Sequence, residues 1–194
     1  MKTYNVAIVG ATGAVGEVLL ELLEKRNFRV ENLYLLASER SAGTSLPFKG
    51  KRITIQNLVD FDFSQVDIAL FSAGGSISAE FAPKATAAGC VVIDNTSHFR
   101  RDDSIPLVIP EVNSHAIANY AETNIIANPN CSTIQMLVAL KPIHDAVGIT
   151  RINVATYQAV SGTGKSAIEE LASQTARLLN GKPAEAKVYP KRIA

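Results

Sequence analysis

The segment Gly10-Ala11-Thr12-Gly13-Ala14-Val15-Gly16 limits what this chain can fold into more than any other feature. It follows Val6-Ala7-Ile8-Val9, a short apolar run suited to a buried central strand. It precedes residues 14–25, where Val15, Val18, Leu19, Leu22 and Leu23 recur at helical spacing and Glu17, Glu21, Glu24 and Lys25 take the other face. Strand, glycine-spaced turn and amphipathic helix in that order open a βαβ unit. The GxxGxxG spacing is a variant of the dinucleotide fingerprint. Its glycines permit a tight turn and let backbone N–H groups approach a pyrophosphate that rests on the helix N-terminus. A glycine-rich turn with no ligand is the plainer alternative, but the position between these two elements favours a cofactor loop with Gly10, Gly13 and Gly16 as its hinges.

The rest of the chain repeats the alternation. Strands are expected at Leu33–Ala37, weakly at Ile53–Ile55, at Ile68–Ser72 and at Val91–Ile93, with a helix from about Ile77 to Ala88 closed by Gly89. Polar, proline-punctuated sequence from Thr96 to Pro110 reads as loop around a short Leu107-Val108-Ile109 strand. Ile125-Ile126-Ala127 is a further strand, and an apolar helix follows Cys131 through Leu140 until Pro142 bends or ends it. A strand is expected over Thr150–Gln158. Residues 165–179 form an amphipathic helix with Ile168, Leu171, Ala172, Thr175, Leu178 and Leu179 on one side. The expected class is α/β: a Rossmann-like dinucleotide-binding domain over residues 1–130 and the start of an α+β catalytic and dimerisation domain over 131–194.

Charge excludes some partners. A formal net charge of +1, with no Lys/Arg run longer than two residues, gives no basic patch for nucleic acid. No apolar stretch approaches the roughly 18–20 residues needed to span a bilayer, so no membrane partner is expected. Met1-Lys2-Thr3-Tyr4 leads directly into a strand without a signal-peptide pattern. Two cysteines, Cys90 and Cys131, are too few for a disulfide scaffold, and a cytoplasmic protein with free thiols is expected. No metal site is expected.

The two cysteines differ in context. Cys90 sits in Gly89-Cys90-Val91-Val92 and reads as a buried core thiol, whereas polar Asn128, Asn130, Ser132 and Thr133 surround Cys131 at a helix start. The positive end of a helix dipole helps to ionise a thiol placed there, and the same N–H groups can hold an oxyanion when the thiolate attacks a carbonyl. At the end of the second strand, Ala37-Ser38-Glu39-Arg40-Ser41-Ala42-Gly43 places Arg40 with Ser38 and Ser41 where a ribose 2′-phosphate would sit. NADP is therefore expected over NAD, with Glu39 as the counter-argument. Ala159-Val160-Ser161-Gly162-Thr163-Gly164-Lys165-Ser166 also fits a relaxed phosphate-loop pattern, but only 28 residues follow it to supply an acidic Mg²⁺ strand.

Taken together these segments resemble aspartate-semialdehyde dehydrogenase along essentially the whole chain. Besides the glycine loop and residues 37–43, the resemblance rests on Asp94-Asn95-Thr96-Ser97-His98-Phe99-Arg100, Val108-Ile109-Pro110-Glu111-Val112-Asn113, Asn128-Pro129-Asn130-Cys131-Ser132-Thr133 and Tyr157-Gln158-Ala159-Val160-Ser161-Gly162-Thr163-Gly164. It implies that Cys131 is the nucleophile of an acyl-enzyme, that Gln158 orients the amino-acid end of the substrate and that Arg100 binds phosphate. It also implies that Asn130 helps to hold substrate or phosphate, and that Thr12, Gly13, Ala14, Val15, Arg40, Ser41, Ser161 and Gly162 contact NADP. The implied reaction is the reductive dephosphorylation of 4-phospho-L-aspartate to aspartate 4-semialdehyde through a Cys131 thioester reduced by NADPH, in lysine, threonine and methionine biosynthesis, by a homodimer.

Members of that family are longer, and their further sequence supplies a histidine base, a phosphate-binding lysine and a substrate-binding arginine. His98, His115 and His144 match none of these, so the expectation is a fragment that turns over poorly alone. The rivals are an N-acetyl-gamma-glutamyl-phosphate reductase-like enzyme, which shares the thioester logic, and a non-catalytic NADP-binding module.

Overall fold

The computed structural model describes residues 2–194. Its first elements lie where the sequence places them: β1 (Tyr4–Val9), α1 (Ala14–Lys25) and β2 (Val30–Ala37). The stripe read for α1 is only partly its buried face, since Val15, Val18 and Leu22 are exposed, Leu19 and Leu23 are half-buried, and Gly16 and Leu20 are buried. A hairpin comes next, β3 (Ser45–Phe48) antiparallel to β4 (Lys51–Asn57), of which only the centre of β4 was expected. Then come β5 (Ile68–Phe71), α2 (Gly75–Ala87), β6 (Val91–Asp94), the single turn α3 (Pro110–Asn113) and β7 (Ile125–Ala127). Two long helices complete the chain, α4 (Cys131–Val147) and α5 (Lys165–Leu179).

The strands form one sheet in the order β3-β4-β2-β1-β5-β6-β7, parallel everywhere except the β3–β4 hairpin. Setting the β3 edge aside, the third, second, first, fourth, fifth and sixth parallel strands stand side by side, which is the doubly wound dinucleotide-binding order. Successive side chains of a strand point to opposite faces, so a sheet covered on both sides needs apolar residues at every position. In β1, Ile8 belongs to one core with Leu20, Leu35 and Ile55, while Ala7 and Val9 belong to the other with Phe71, Phe81 and Val92. The first core lies under α1 and the second under α2. The fold class expected from the sequence is the one observed.

The chain forms two compact units, Met1–Asn153 and Val154–Ala194. By its packing α4 belongs with the first unit.

Four other local expectations are corrected. Pro142 neither ends nor interrupts α4, which runs on to Val147. The ring deprives the Val138 carbonyl of its helical donor, but Val138 and Pro142 are both exposed, so solvent can replace the lost bond. Residues 150–158 form no strand. Alternating apolar residues make a strand only when a neighbour pairs with its N–H and C=O groups, and among the described residues none pairs with this segment, so Ile152, Val154 and Tyr157 are exposed. Leu107–Ile109 contributes a single parallel bridge, Leu107 to Ala127, and no more. On α5 the apolar stripe is the outer face: Ile168, Leu178 and Leu179 are exposed, and Ala167, Glu170 and Gln174 are buried instead.

Candidate active site

The glycine loop sits at the point where the strand order reverses, between the carboxyl ends of β1 and β5. Gly10 and Ala11 donate their N–H groups to the Leu36 carbonyl at 2.9 and 3.2 Å, which ties the loop to β2. Gly10 has φ +89°, and a Cβ there would come within 3.0 Å of the Ala73 backbone nitrogen on the loop after β5. Gly16 is held more tightly still, since a Cβ would lie 2.2 Å from the Gly10 carbonyl oxygen. Gly13 precedes α1 and supplies no side-chain cap, so first-turn N–H groups are available to an anion. The close approach of the two loops, the uncapped helix and the topological switch point fit a dinucleotide pyrophosphate.

Glu39–Ser41 form a single 3₁₀ turn shortly after β2, with Ser38 as the residue before it. Ser38, Glu39 and Arg40 are exposed and Ser41 is half-buried. The ion pairs Lys25–Glu21, Lys84–Glu80 and Lys141–Asp145 involve neither Arg40 nor Glu39.

Cys131 is the first residue of α4, and its side chain is exposed. Asn130 caps the helix, its side-chain oxygen accepting the Ser132 N–H at 3.0 Å and the Ser132 hydroxyl. Asn130 is thus first of all the residue that makes Cys131 begin a helix. Arg100 reaches the same turn: its Nε donates to the Asn128 carbonyl at 2.9 Å and one Nη to the Asn95 carbonyl at 3.0 Å. Two of its five N–H donors are used in this way, and the others are left for an anion. Asn128 Nδ2 donates to Asn95 Oδ1 at 2.7 Å and closes the frame. Arg100, Asn128, Asn130 and Cys131 therefore stand together at the carboxyl ends of β6 and β7.

Asp94, Ser78, Asn95 and Asn128 hold this frame, and no role for them was read from the sequence. The Asp94 carboxylate is fully buried and accepts the Ser78 hydroxyl at 2.7 Å and the Thr96 hydroxyl at 2.8 Å. It anchors the loop carrying Arg100 to α2. A carboxylate ending an otherwise apolar strand and followed at once by Asn95-Thr96-Ser97 was the available signal, because such a charge must be hydrogen-bonded where it lies.

Cys90 behaves as the sequence suggests for a core thiol. It is buried in the α2-side core, and burial, assisted by the nearby Asp67 charge, pushes its pKa up to about 12. Alkylation with iodoacetamide at pH 8, mapped by mass spectrometry, is expected to modify Cys131 at least 100-fold faster than Cys90 (roughly, from the thiolate fraction and access that govern thiol reactivity). Equal rates would show that the Cys131 thiol is not the accessible one.

Gln158, Ser161 and Gly162 lie in the second unit. Gln158 is exposed in the stretch without secondary structure before the 3₁₀ turn Val160–Thr163, and Ser161 and Gly162 are in that turn, just ahead of α5. No strand precedes this loop, so it lacks the strand–loop–helix setting of a phosphate-binding NTPase loop. Among the described residues no group of three His, Cys, Asp or Glu side chains could hold a metal ion, and no helix is long and apolar enough to cross a membrane.

Comparison with known proteins agrees with this geometry. Residues 5–120 match the family model "Semialdehyde dehydrogenase, NAD binding domain", and residues 140–194 match "Semialdehyde dehydrogenase, dimerisation domain". An aspartate-semialdehyde dehydrogenase 2 of Vibrio cholerae is 66% identical over 193 residues, covering 100% of this chain and 57% of that protein. The Legionella pneumophila aspartate-semialdehyde dehydrogenase is 64% identical, covering 100% of this chain and 56% of its own length. The chain thus spans somewhat more than half the length of the curated relatives it matches. The crystal structure of the Vibrio cholerae aspartate semialdehyde dehydrogenase II complexed with ASA superposes with a TM-score of 0.96 at 65% identity, over 100% of this chain and 58% of that one. A Candida albicans aspartate semialdehyde dehydrogenase solved with NADP gives a TM-score of 0.65 at 26% identity, over 76% of this chain and 48% of that one. With its doubly wound sheet, its glycine loop and a family model matched over more than half its length, the chain belongs to the semialdehyde dehydrogenase family.

Proposed function

We propose that these residues belong to an aspartate-semialdehyde dehydrogenase that converts 4-phospho-L-aspartate to L-aspartate 4-semialdehyde with NADPH. The observation that carries this reading is the exposed Cys131 thiol at the first residue of α4, with the Arg100 guanidinium fastened to the Asn128–Cys131 turn. The Cys131 thiolate attacks the acyl carbon, the N–H groups of the first turn of α4 hold the oxyanion, and the carbon–oxygen bond to phosphate breaks to leave a thioester. Arg100 receives the departing phosphate through the donors it does not use on the backbone. Gln158 orients the amino-acid end of the substrate, and Asn130 assists at the thiol. NADPH, when bound, supplies the hydride that reduces the thioester to the aldehyde level.

The residues that would hold the cofactor are Gly10, Thr12, Gly13, Ala14, Val15 and Gly16 around the pyrophosphate, Ser38, Arg40 and Ser41 at the ribose phosphate, and Ser161 and Gly162. The preference for NADP rests on Arg40. Arg40→Ala is expected to weaken NADPH binding about 10- to 100-fold, as for loss of a charge-assisted hydrogen bond, and to leave NADH binding within about twofold. Fluorescence titration with both cofactors checks this, and equal losses for the two would assign Arg40 another role. Residues 1–130 act in this reading as the NADP-binding domain and 131–194 as part of a catalytic domain through which a cytoplasmic homodimer forms. The matched dimerisation-domain model supports the pairing.

The decisive assay follows NADPH consumption with 4-phospho-L-aspartate, or its phosphate-dependent formation from the semialdehyde, on a polypeptide of the relatives' length carrying these residues. N-acetyl-gamma-glutamyl phosphate serves as the competing substrate. Faster turnover of the glutamyl compound would reassign the substrate, and NADPH binding with neither reaction would leave a binding module. The 194-residue chain alone is expected to turn over poorly, because none of His98, His115 and His144 matches the base that the family resemblance implies; His144, for one, already accepts the Ile149 N–H through Nδ1.

A further inference from the structure

The buried face of α5 is polar, which is unusual enough to require a cause. Glu170 is 7% exposed and Gln174 is 2% exposed, one helical turn apart. Buried groups of this kind are tolerated only when hydrogen-bonded, and both are, to the backbone of a single strap. The Glu170 carboxylate accepts the N–H groups of Lys187 at 2.9 Å, of Val188, and of Tyr189 at 3.4 Å. Gln174 Nε2 donates to Glu170 Oε1 at 2.7 Å and to the Glu185 carbonyl at 2.9 Å, while its Oε1 accepts the N–H groups of Ile193 and Ala194 at 2.9 and 3.2 Å. The Lys187 N–H, with those of Val188 and Tyr189, holds the Glu170 carboxyl below its ordinary pKa against the cost of desolvation. Residues 185–194 have no secondary structure of their own, so these side chains define the path of the strap.

The path has one outlet. Tyr189, fixed through its N–H, brings its hydroxyl to 2.7 Å from Thr163 Oγ1. Thr163 closes the turn that contains Ser161 and Gly162, and Gly164 after it has φ +103°. It is a single 3₁₀ turn tied by short-range backbone bonds, Gly162 N–H to the Ala159 carbonyl at 3.2 Å and Gly164 N–H to the Ser161 carbonyl at 3.0 Å.

We propose that Glu170 and Gln174 are positioning residues for the dinucleotide, holding the 185–194 strap so that the Tyr189 hydroxyl braces Thr163 and keeps the Ser161–Gly162 turn in its binding shape. The inference rests on the reading of Ser161 and Gly162 as cofactor contacts.

The test is NADPH affinity, by fluorescence titration of this chain, read beside its melting temperature. Tyr189→Phe removes one exposed hydroxyl and should leave the melting temperature unchanged while weakening NADPH binding about three- to tenfold, the range for one net hydrogen bond. Thr163→Val should do the same, Thr163→Ser should retain wild-type affinity, and the Tyr189→Phe/Thr163→Val double variant should be no worse than either single one. Glu170→Gln should weaken NADPH binding and also speed amide hydrogen exchange at residues 161–164. If Glu170→Gln fails to fold, the Tyr189 and Thr163 cycle decides alone. Wild-type affinity in Tyr189→Phe, or additive losses in the double variant, overturns the inference.

Ser161→Glu separates this from failure of the cofactor reading. It places a carboxylate in the turn and should abolish binding if the turn touches the dinucleotide. An unaffected Ser161→Glu variant, or no NADPH binding by the wild-type chain, overturns the cofactor reading of the turn and this inference with it. Loss in Ser161→Glu without loss in Tyr189→Phe overturns the strap alone.

Discussion

Replacing Cys131 with alanine is expected to lower kcat for acyl-phosphate reduction by roughly 10⁴-fold or more, the scale on which removing a covalent nucleophile acts in enzymes that depend on one. The argument is geometric. The thiol is exposed, it is the first residue of a 17-residue helix, and Asn130 caps that helix and fixes where it begins. Without the sulfur there is no acyl-enzyme, and hydride would have to reach a carbonyl still bonded to phosphate. Cys131→Ser tests the same point, since a hydroxyl at the same place is a far weaker nucleophile at neutral pH. The measurement is steady-state turnover of the relatives'-length polypeptide, with the NADPH dissociation constant determined separately. Retention of kcat to within tenfold in Cys131→Ala would remove the thioester from the mechanism.

Gly16→Ala should cost about 3 kcal/mol or more of folding stability, at the upper end for overpacking because the obstacle is backbone. A Cβ at residue 16 would meet the Gly10 carbonyl oxygen at 2.2 Å and the Ala11 Cα at 2.8 Å. Neither is the end of a flexible side chain, so either α1 tilts away from the sheet or the glycine loop opens. Both displace the N–H groups proposed to receive the pyrophosphate. NADPH affinity should therefore fall with stability, by about tenfold or more if only one or two charge-assisted bonds are lost. Urea unfolding together with NADPH titration measures both effects. A Gly16→Ala variant with wild-type stability would contradict the close packing of α1 on the loop.

The sequence showed the first 100 residues well because each element there has a partner whose apolar pattern is equally plain. β1, β2, β5 and β6 send successive residues into two cores, α1 covering one and α2 the other. Such burial leaves apolar runs that can be read directly, although in α1 the residues buried are not all those of the apolar stripe. The β3 strand escaped notice because Ser45-Leu46-Pro47-Phe48 carries a proline and half-buried positions, as suits an edge strand. Residues 150–158 have the alternation of a strand and no neighbour to pair with, and α5 has an apolar stripe that is exposed while its polar side is buried. In those places a pattern along the chain stated what the residues could do, and the available partners decided otherwise.

By itself the sequence determined the two chemical endpoints of the proposed site. A glycine loop can be read because φ +89° at Gly10 and the 2.2 Å approach at Gly16 are demands that only glycine meets, and Cys131 can be read because a helix start leaves its mark in capping residues. Only the tertiary structure decided how Arg100 comes to the thiol and how the 185–194 strap is held. The first depends on Asn95 and Asn128 meeting across 33 positions of sequence, the second on Glu170 and Gln174 accepting backbone N–H groups up to 20 residues away. Hydrogen bonds from side chain to distant backbone have no period and constrain only the acceptor's identity, so they become visible when the chain is folded and not before.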